Sequence, residues 1–128
     1  MKLDKEKLKA TLDPMTYHVT QEKGTEQPFS GAYWDTHDPG YYHCKVCGQR
    51  LFSSDNKFDF GSGWPSFDRA LDGATELQAD DSHGMHRTEV VCSKCGAHLG
   101  HMFEDGPRET TGQRFCINSC ALELKKND

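Results

Sequence analysis

The sequence predicts one mainly β domain, with antiparallel strands and a metal site stapling them together. Three observations predict it. From Tyr41 onward, short aromatic or β-branched runs (YYHC, RLF, KFDF, RTEVVC, RFCINS) alternate with glycine punctuation, which is the pattern of successive strands and turns. The chain has 128 residues, about one domain's worth. Only 34% of them are hydrophobic and the mean hydropathy is -0.81, so the apolar core is thin for the length. Finally, six cysteines include a repeated Cys-x-x-Cys-Gly, at Cys44, Cys47 and Gly48 and again at Cys92, Cys95 and Gly96.

Taken in order, residues 2–12 (KLDKEKLKATL) are rich in helix formers with sparse leucines, which predicts at most a solvated amphipathic helix. Asp13-Pro14 reads as an N-cap followed by a first-turn proline, opening a short helix to about Thr20. Residues 22–30 are polar, with Gly24 and Pro28, and read as an extended connection. The β body follows. Within it, residues 76–84 are acidic and polar and read as a loop. Residues 104–113 (EDGPRETTGQ) read as a second loop, and the closing LELKKND as a charged tail.

The net charge of -5 lacks the basic footprint of a nucleic-acid binder. No run approaches the roughly 18 apolar residues of a membrane-spanning helix. The N-terminal MKLDKEKLKA has no apolar core of a signal peptide. These features predict a cytoplasmic protein without membrane or nucleic-acid partners. Thiols stay reduced there, so six cysteines point to metal or redox chemistry.

The two knuckles can each present a pair of thiolates from a tight turn. Four thiolates suit a closed tetrahedral zinc site, with Zn–S about 2.3 Å. Cys44, Cys47, Cys92 and Cys95 are therefore the expected ligands of one structural zinc. Iron in the same cage is the chemical rival. Because the pairs are far apart in sequence, metal binding would join distant segments and contribute folding energy.

Two cysteines remain. Cys116 sits between Phe115 and Ile117, and Cys120 follows four residues later. Either suits a small buried core position. The segment after the second knuckle, however, carries His98 and His101 around Gly100, and a nearby histidine could stabilise a Cys116 thiolate and supply a proton. If 114–119 is a strand, Arg114, Cys116 and Asn118 share a face. There Asn118 could orient substrate and Arg114 add a fixed positive charge. Trp64, in GSGWPSF, is either core or one wall of a small apolar pocket.

GSGWPSF, HGMHRTEV, the two CxxCG knuckles, HLGHMFEDGP and RFCINS, in this order and spacing, resemble the B-type methionine-R-sulfoxide reductase family. The resemblance covers about residues 13 to 124, leaving 1–12 as an extension. It implies a mainly β fold of two antiparallel sheets, arranged like a tent, with a structural zinc away from the active site. It also implies thiol-dependent reduction of methionine-R-sulfoxide in oxidised proteins. Carried over by position, Cys116 is the nucleophile and ends as a sulfenic acid. His101, with His98 beside it, protonates the leaving oxygen. Trp64 faces the substrate methyl group, while Asn118, Arg114 and Asp105 orient polar groups around the sulfoxide. Thioredoxin or another thiol is the implied reductant.

The sequence departs from the family at one functional position. Many members carry a resolving cysteine just before GWPSF, where this chain has Ser62. Cys120 is instead a candidate resolving thiol. An unbroken strand would hold Cys116 and Cys120 about 13 Å apart, beyond disulfide reach of roughly 7 Å, so a local disulfide needs the strand to end after Asn118. Two other readings stay open: a zinc-ribbon binding module without catalysis, and a rubredoxin-like electron carrier. A binding module has no use for Cys116 with His98 and His101, and the visible absorption of ferric thiolate would mark the electron carrier.

Overall fold

A computed structural model describes residues 5–58, 61–81, 84 and 87–125. Helix α1 (Lys5–Thr11) is followed by α2 (Pro14–Glu22). Asp13 caps α2 as expected: its carboxylate accepts the Thr16 amide at 2.9 Å, one of the donors a helix start leaves unsatisfied. The helix runs two residues past Thr20 and ends where Lys23 turns left-handed at φ 57. Its inner face buries Thr16, Val19 and Thr20.

The body is the expected pair of antiparallel sheets. The smaller has strand order β2-β1-β9 and the larger β3-β4-β8-β7-β6-β5. The strands are β1 (Tyr41–Cys44), β2 (Arg50–Ser53), β3 (Lys57–Phe58), β4 (Ser66–Phe67), β5 (Thr75–Asp80), β6 (Arg87–Cys92), β7 (His98–Phe103), β8 (Arg114–Ile117) and β9 (Leu122–Lys125). An aromatic cluster joins the sheets. Phe52 of β2 stacks on Phe67 of β4 at 4.4 Å between centroids. Tyr42 of β1 meets Phe67 edge-on at 5.1 Å, and Phe115 of β8 meets Phe52 at 5.9 Å. Large rings and such geometries supply much burial from few residues, which is how a sequence of low apolar content fills its core.

Two expectations are corrected. The segment read as a loop at 76–84 supplies β5, paired residue for residue with β6 from Thr75↔Cys92 to Asp80↔Arg87. It is an edge strand whose residues are mostly exposed, so it shows no apolar alternation, and its charges suit an edge that must not template aggregation. The charged tail likewise begins with β9, which pairs with β1 and buries Leu122 alone. Residues 104–113 do form the expected loop, which contains no strand. Residues 1–4 of the N-terminal stretch, 59–60 of the KFDF run, 82 and 83 of the 76–84 segment, 83, 85 and 86 of HGMHRTEV, and 126–128 of the tail lie outside the described residues.

Candidate active site

The knuckles converge. Cys44 ends β1 and Cys92 ends β6, so each sheet delivers one pair. Glycines at Gly48 (φ 82) and Gly96 (φ 77) complete the turns in a backbone region that favours glycine. The four Sγ atoms lie within 4.8 Å of one another, with Cys44–Cys95 at 3.7 Å and Cys47–Cys92 at 3.6 Å. A tetrahedron of Zn–S bonds of about 2.3 Å has edges of about 3.8 Å. The cluster can therefore hold a metal ion of zinc's size, and no cysteine is tied up in a disulfide.

A second site lies on the larger sheet. His101 stands directly opposite Cys116 across the β7–β8 ladder, and Phe103 opposite Arg114. Side chains two apart on a strand share a face, so Arg114, Cys116 and Asn118 point together, as expected from the spacing. They line a cavity of about 210 Å³ together with Thr25, Ser62, Trp64, Arg87, Gly100, His101 and Phe103. Gly100 has a steric reason. A Cβ there would collide with the Cys116 carbonyl oxygen, so only glycine lets β7 pack this closely against β8.

Three of the expected residues sit on the cavity with their partners fixed. Trp64 Nε1 donates to the Glu26 carbonyl oxygen at 3.0 Å. Asn118 accepts the Glu26 amide at 3.0 Å and donates to the Leu99 carbonyl oxygen at 3.0 Å, which buries it at 4% exposure. Arg114 lies over the Phe103 ring at 4.6 Å. Burial pushes the Cys116 thiol up; the Arg114 charge and hydrogen bonds from Arg114 and Ser62 pull against it without cancelling it.

Three others are elsewhere. Asp105 is not on the cavity wall but on the Arg114 guanidinium, at 2.9 Å to Nε and 3.3 Å to Nη2, which holds its carboxyl below the usual range. His98 is buried behind the cavity, its Nδ1 2.7 Å from Glu89 Oε2, and burial lowers its pKa. The two histidines nevertheless share a side of the sheet, with rings 5.4 Å apart. Three residues apart they would face opposite ways, but a register shift between Val90 and Val91 places an extra residue in β7. Cys120 lies in the 3-10 turn Ser119–Ala121, so the strand does end after Ile117. Its Sγ is 4.0 Å from the Met15 carbonyl oxygen of α2, and burial plus the Glu26 charge push its thiol up to about 12.

Sequence reasoning missed Asp80, Arg87 and Glu26. Asp80 was hidden in an edge strand read as a loop; it holds His101 Nε2 at 2.8 Å and Arg87 at 3.3 Å. Glu26 was hidden in the polar connection, yet it is only 3% exposed. Its main chain binds Trp64 and Asn118, and its carboxylate accepts the Cys120 amide at 3.0 Å.

Known proteins resemble this chain over most of its length. The SelR domain model matches residues 12–126. The peptide methionine sulfoxide reductase MsrB of Burkholderia mallei is 54% identical over 95% of this chain and 86% of its own. That of Chromohalobacter salexigens is 56% identical over 88% and 86%. The mitochondrial methionine-R-sulfoxide reductase B3 of Mus musculus is 55% identical over 96% of this chain, which spans 49% of that protein. A solved Mis18 "Yippee-like" domain shares the fold at a TM-score of 0.56, with 14% identity, over 71% of this chain and 99% of its own. With a domain model covering nearly its whole length and relatives more than half identical, the chain belongs to the SelR-domain family of methionine-R-sulfoxide reductases.

Proposed function

We propose that this protein reduces methionine-R-sulfoxide in oxidised proteins, with residues 13–124 as the catalytic domain and Cys116 as the nucleophile. One observation carries the site assignment: Cys116 lies in a small cavity, opposite an imidazole and beside a guanidinium that favours its thiolate. The thiolate attacks the sulfoxide sulfur. The S–O bond breaks, the oxygen takes a proton and ends on Cys116 as a sulfenic acid. Methionine leaves with the electron pair that the cysteine sulfur has lost. His101 lines the cavity and is the proton donor; His98 supports it from behind. Trp64 forms the apolar wall for the substrate methyl group. Arg114, positioned by Asp105, and Asn118 orient the sulfoxide oxygen.

Regeneration needs a thiol. Ser62 cannot form a disulfide, and Cys120 is held away from the cavity against α2 with a thiol that stays protonated at neutral pH. An external reductant, thioredoxin or a small thiol, therefore attacks the sulfenic acid and releases water. A second thiol then frees Cys116. Resolution by Cys120 would require the Ser119–Ala121 turn to open; mapping the oxidised peptides after one turnover without reductant distinguishes the two routes. Cys44, Cys47, Cys92 and Cys95 would hold one structural zinc, which supplies cross-linking and no chemical step. Six free thiols suit a reducing, cytoplasmic setting. No helix among the described residues is long and apolar enough to cross a membrane.

The deciding experiment offers separated R and S epimers of a methionine sulfoxide peptide with excess dithiothreitol. Methionine forming from the R epimer alone is the expected result. No turnover of either epimer by folded, metal-loaded protein would return the chain to the binding-module reading.

A further inference from the structure

Asp80 of β5 and Cys116 of β8 lie on opposite sides of the strand that carries His101. Its Nε2 lies 2.8 Å from Asp80 Oδ2, and Asp80 pairs in turn with Arg87 at 3.3 Å. Both carboxylate and histidine are largely buried, at 17% and 12% exposure. We propose that Asp80 is a positioning residue for the reductase reaction: it fixes His101 in the Nε2–H tautomer, so that Nδ1 takes the Cys116 proton and hands it to the sulfoxide oxygen. The proposal rests on the function proposed above.

A neutral imidazole carries one N–H and one lone pair, and an ionised carboxylate only accepts. The nitrogen at Asp80 therefore bears the proton, and the lone pair sits on Nδ1. When the Cys116 thiol ionises, its proton moves to Nδ1. The resulting imidazolium lies beside the Asp80 charge, which stabilises it, as the orienting carboxylate does in a catalytic triad. As the thiolate attacks the sulfur, the Nδ1 proton passes to the departing oxygen, which ends as the Cys116 S–OH. His101 returns to its starting tautomer, and no proton is consumed overall.

The neighbouring histidine is wired the opposite way. His98 presents Nδ1 to Glu89 at 2.7 Å, Glu89 reaches Lys23 at 3.3 Å, and His98 Nε2 is buried without a hydrogen-bond partner among the described residues. Of these two histidines, His101 lines the cavity and His98 does not. Among the described residues, the charged and titratable groups around His101 are Asp80 on β5, Arg87 and Glu89 on β6, His98 on its own strand, and Arg114 and Cys116 on β8. Of these, Asp80 is the carboxylate in hydrogen-bond contact with the ring.

The test uses Asp80→Asn and Asp80→Glu in the full chain, with two readouts. In steady-state reduction of the R-sulfoxide peptide, Asp80→Asn should lower kcat by about 100-fold, within the range of a general acid–base contribution, while KM moves less than about twofold. Asp80→Glu should recover part of kcat. Long-range nitrogen NMR of the wild type should show His101 protonated on Nε2, and Asp80→Asn, whose amide can donate as well as accept, should shift the ring toward the Nδ1–H tautomer. An Nδ1–H tautomer in the wild type would overturn the proposal whatever the variants do. So would a folded Asp80→Asn protein with unchanged kcat and an unchanged His101 tautomer. If the wild type reduces neither epimer, the reading of the reaction falls first and Asp80's role falls with it.

Discussion

Arg114 and Asp105 form a two-point ion pair, Nε to Oδ1 at 2.9 Å and Nη2 to Oδ2 at 3.3 Å, and the guanidinium held in this fork also reaches Cys116. Arg114 lowers the cost of ionising Cys116 both by charge and by hydrogen bond, against burial that raises it. Removing Arg114 removes both contributions. In Arg114→Gln, the rise of kcat/KM with pH that reports thiolate formation should move to higher pH. Activity at neutral pH should fall by about tenfold for each pH increment of about 1 that the profile moves. A pH profile of peptide reduction checks it.

The same pair predicts an acid limb of stability. The Asp105 carboxyl is held below its ordinary value by Arg114, and Asp13 below its own by Thr16. A depressed carboxyl stabilises the fold fully above its unfolded pKa, about 3.9, and loses that contribution as pH falls through the folded value. The thermal midpoint should therefore drop below about pH 4, and the drop should be shallower in Asp105→Asn and Asp13→Asn.

Cys116→Ser should abolish turnover while leaving fold and metal content unchanged. The swap is nearly isosteric, and the residue lies in the cavity rather than in the cysteine cluster. Activity assays with circular dichroism and metal analysis decide this. Retained turnover would remove Cys116 from the reaction.

Cys44→Ser and Cys95→Ser should each lose metal and stability together. The cluster draws one knuckle from each sheet, so opening it releases the tie between them, and binding energy at such a site is folding energy. Metal content and thermal melting measure it; a full equivalent of metal in either variant would show that the ligand set is wrong.

Gly100→Ala should damage site and fold at once. The added methyl meets main-chain atoms of Cys116 and Ile117, which no rotamer change can relieve. A cost of about 1–3 kcal/mol is expected, in line with overpacking, with a fall in kcat as the β8 backbone shifts. Denaturant melts paired with peptide assays test both.

Much of this protein is written locally in its sequence. The α2 start is legible because Asp13 and Pro14 act on the nearest amides. The cysteine cluster is legible because each half is a tight turn of fixed spacing. Arg114, Cys116 and Asn118 can be placed on one face because strand geometry has a period of two. The antiparallel β class follows from short runs and glycine turns. What stayed hidden depends on distant partners. β5 and β9 are polar edge strands, and their pairing with β6 and β1 leaves no apolar signature. The shared side of His98 and His101 follows from a register shift that only the β6–β7 ladder reveals. Asp80 and Glu26 look like surface acids until folding buries them against His101 and Trp64. Sequence alone determined which chemical groups were available and where chain-local geometry put them. Tertiary structure alone decided which carboxylate meets which histidine and which thiol reaches the cavity, because hydrogen bonding and burial act across space rather than along the chain.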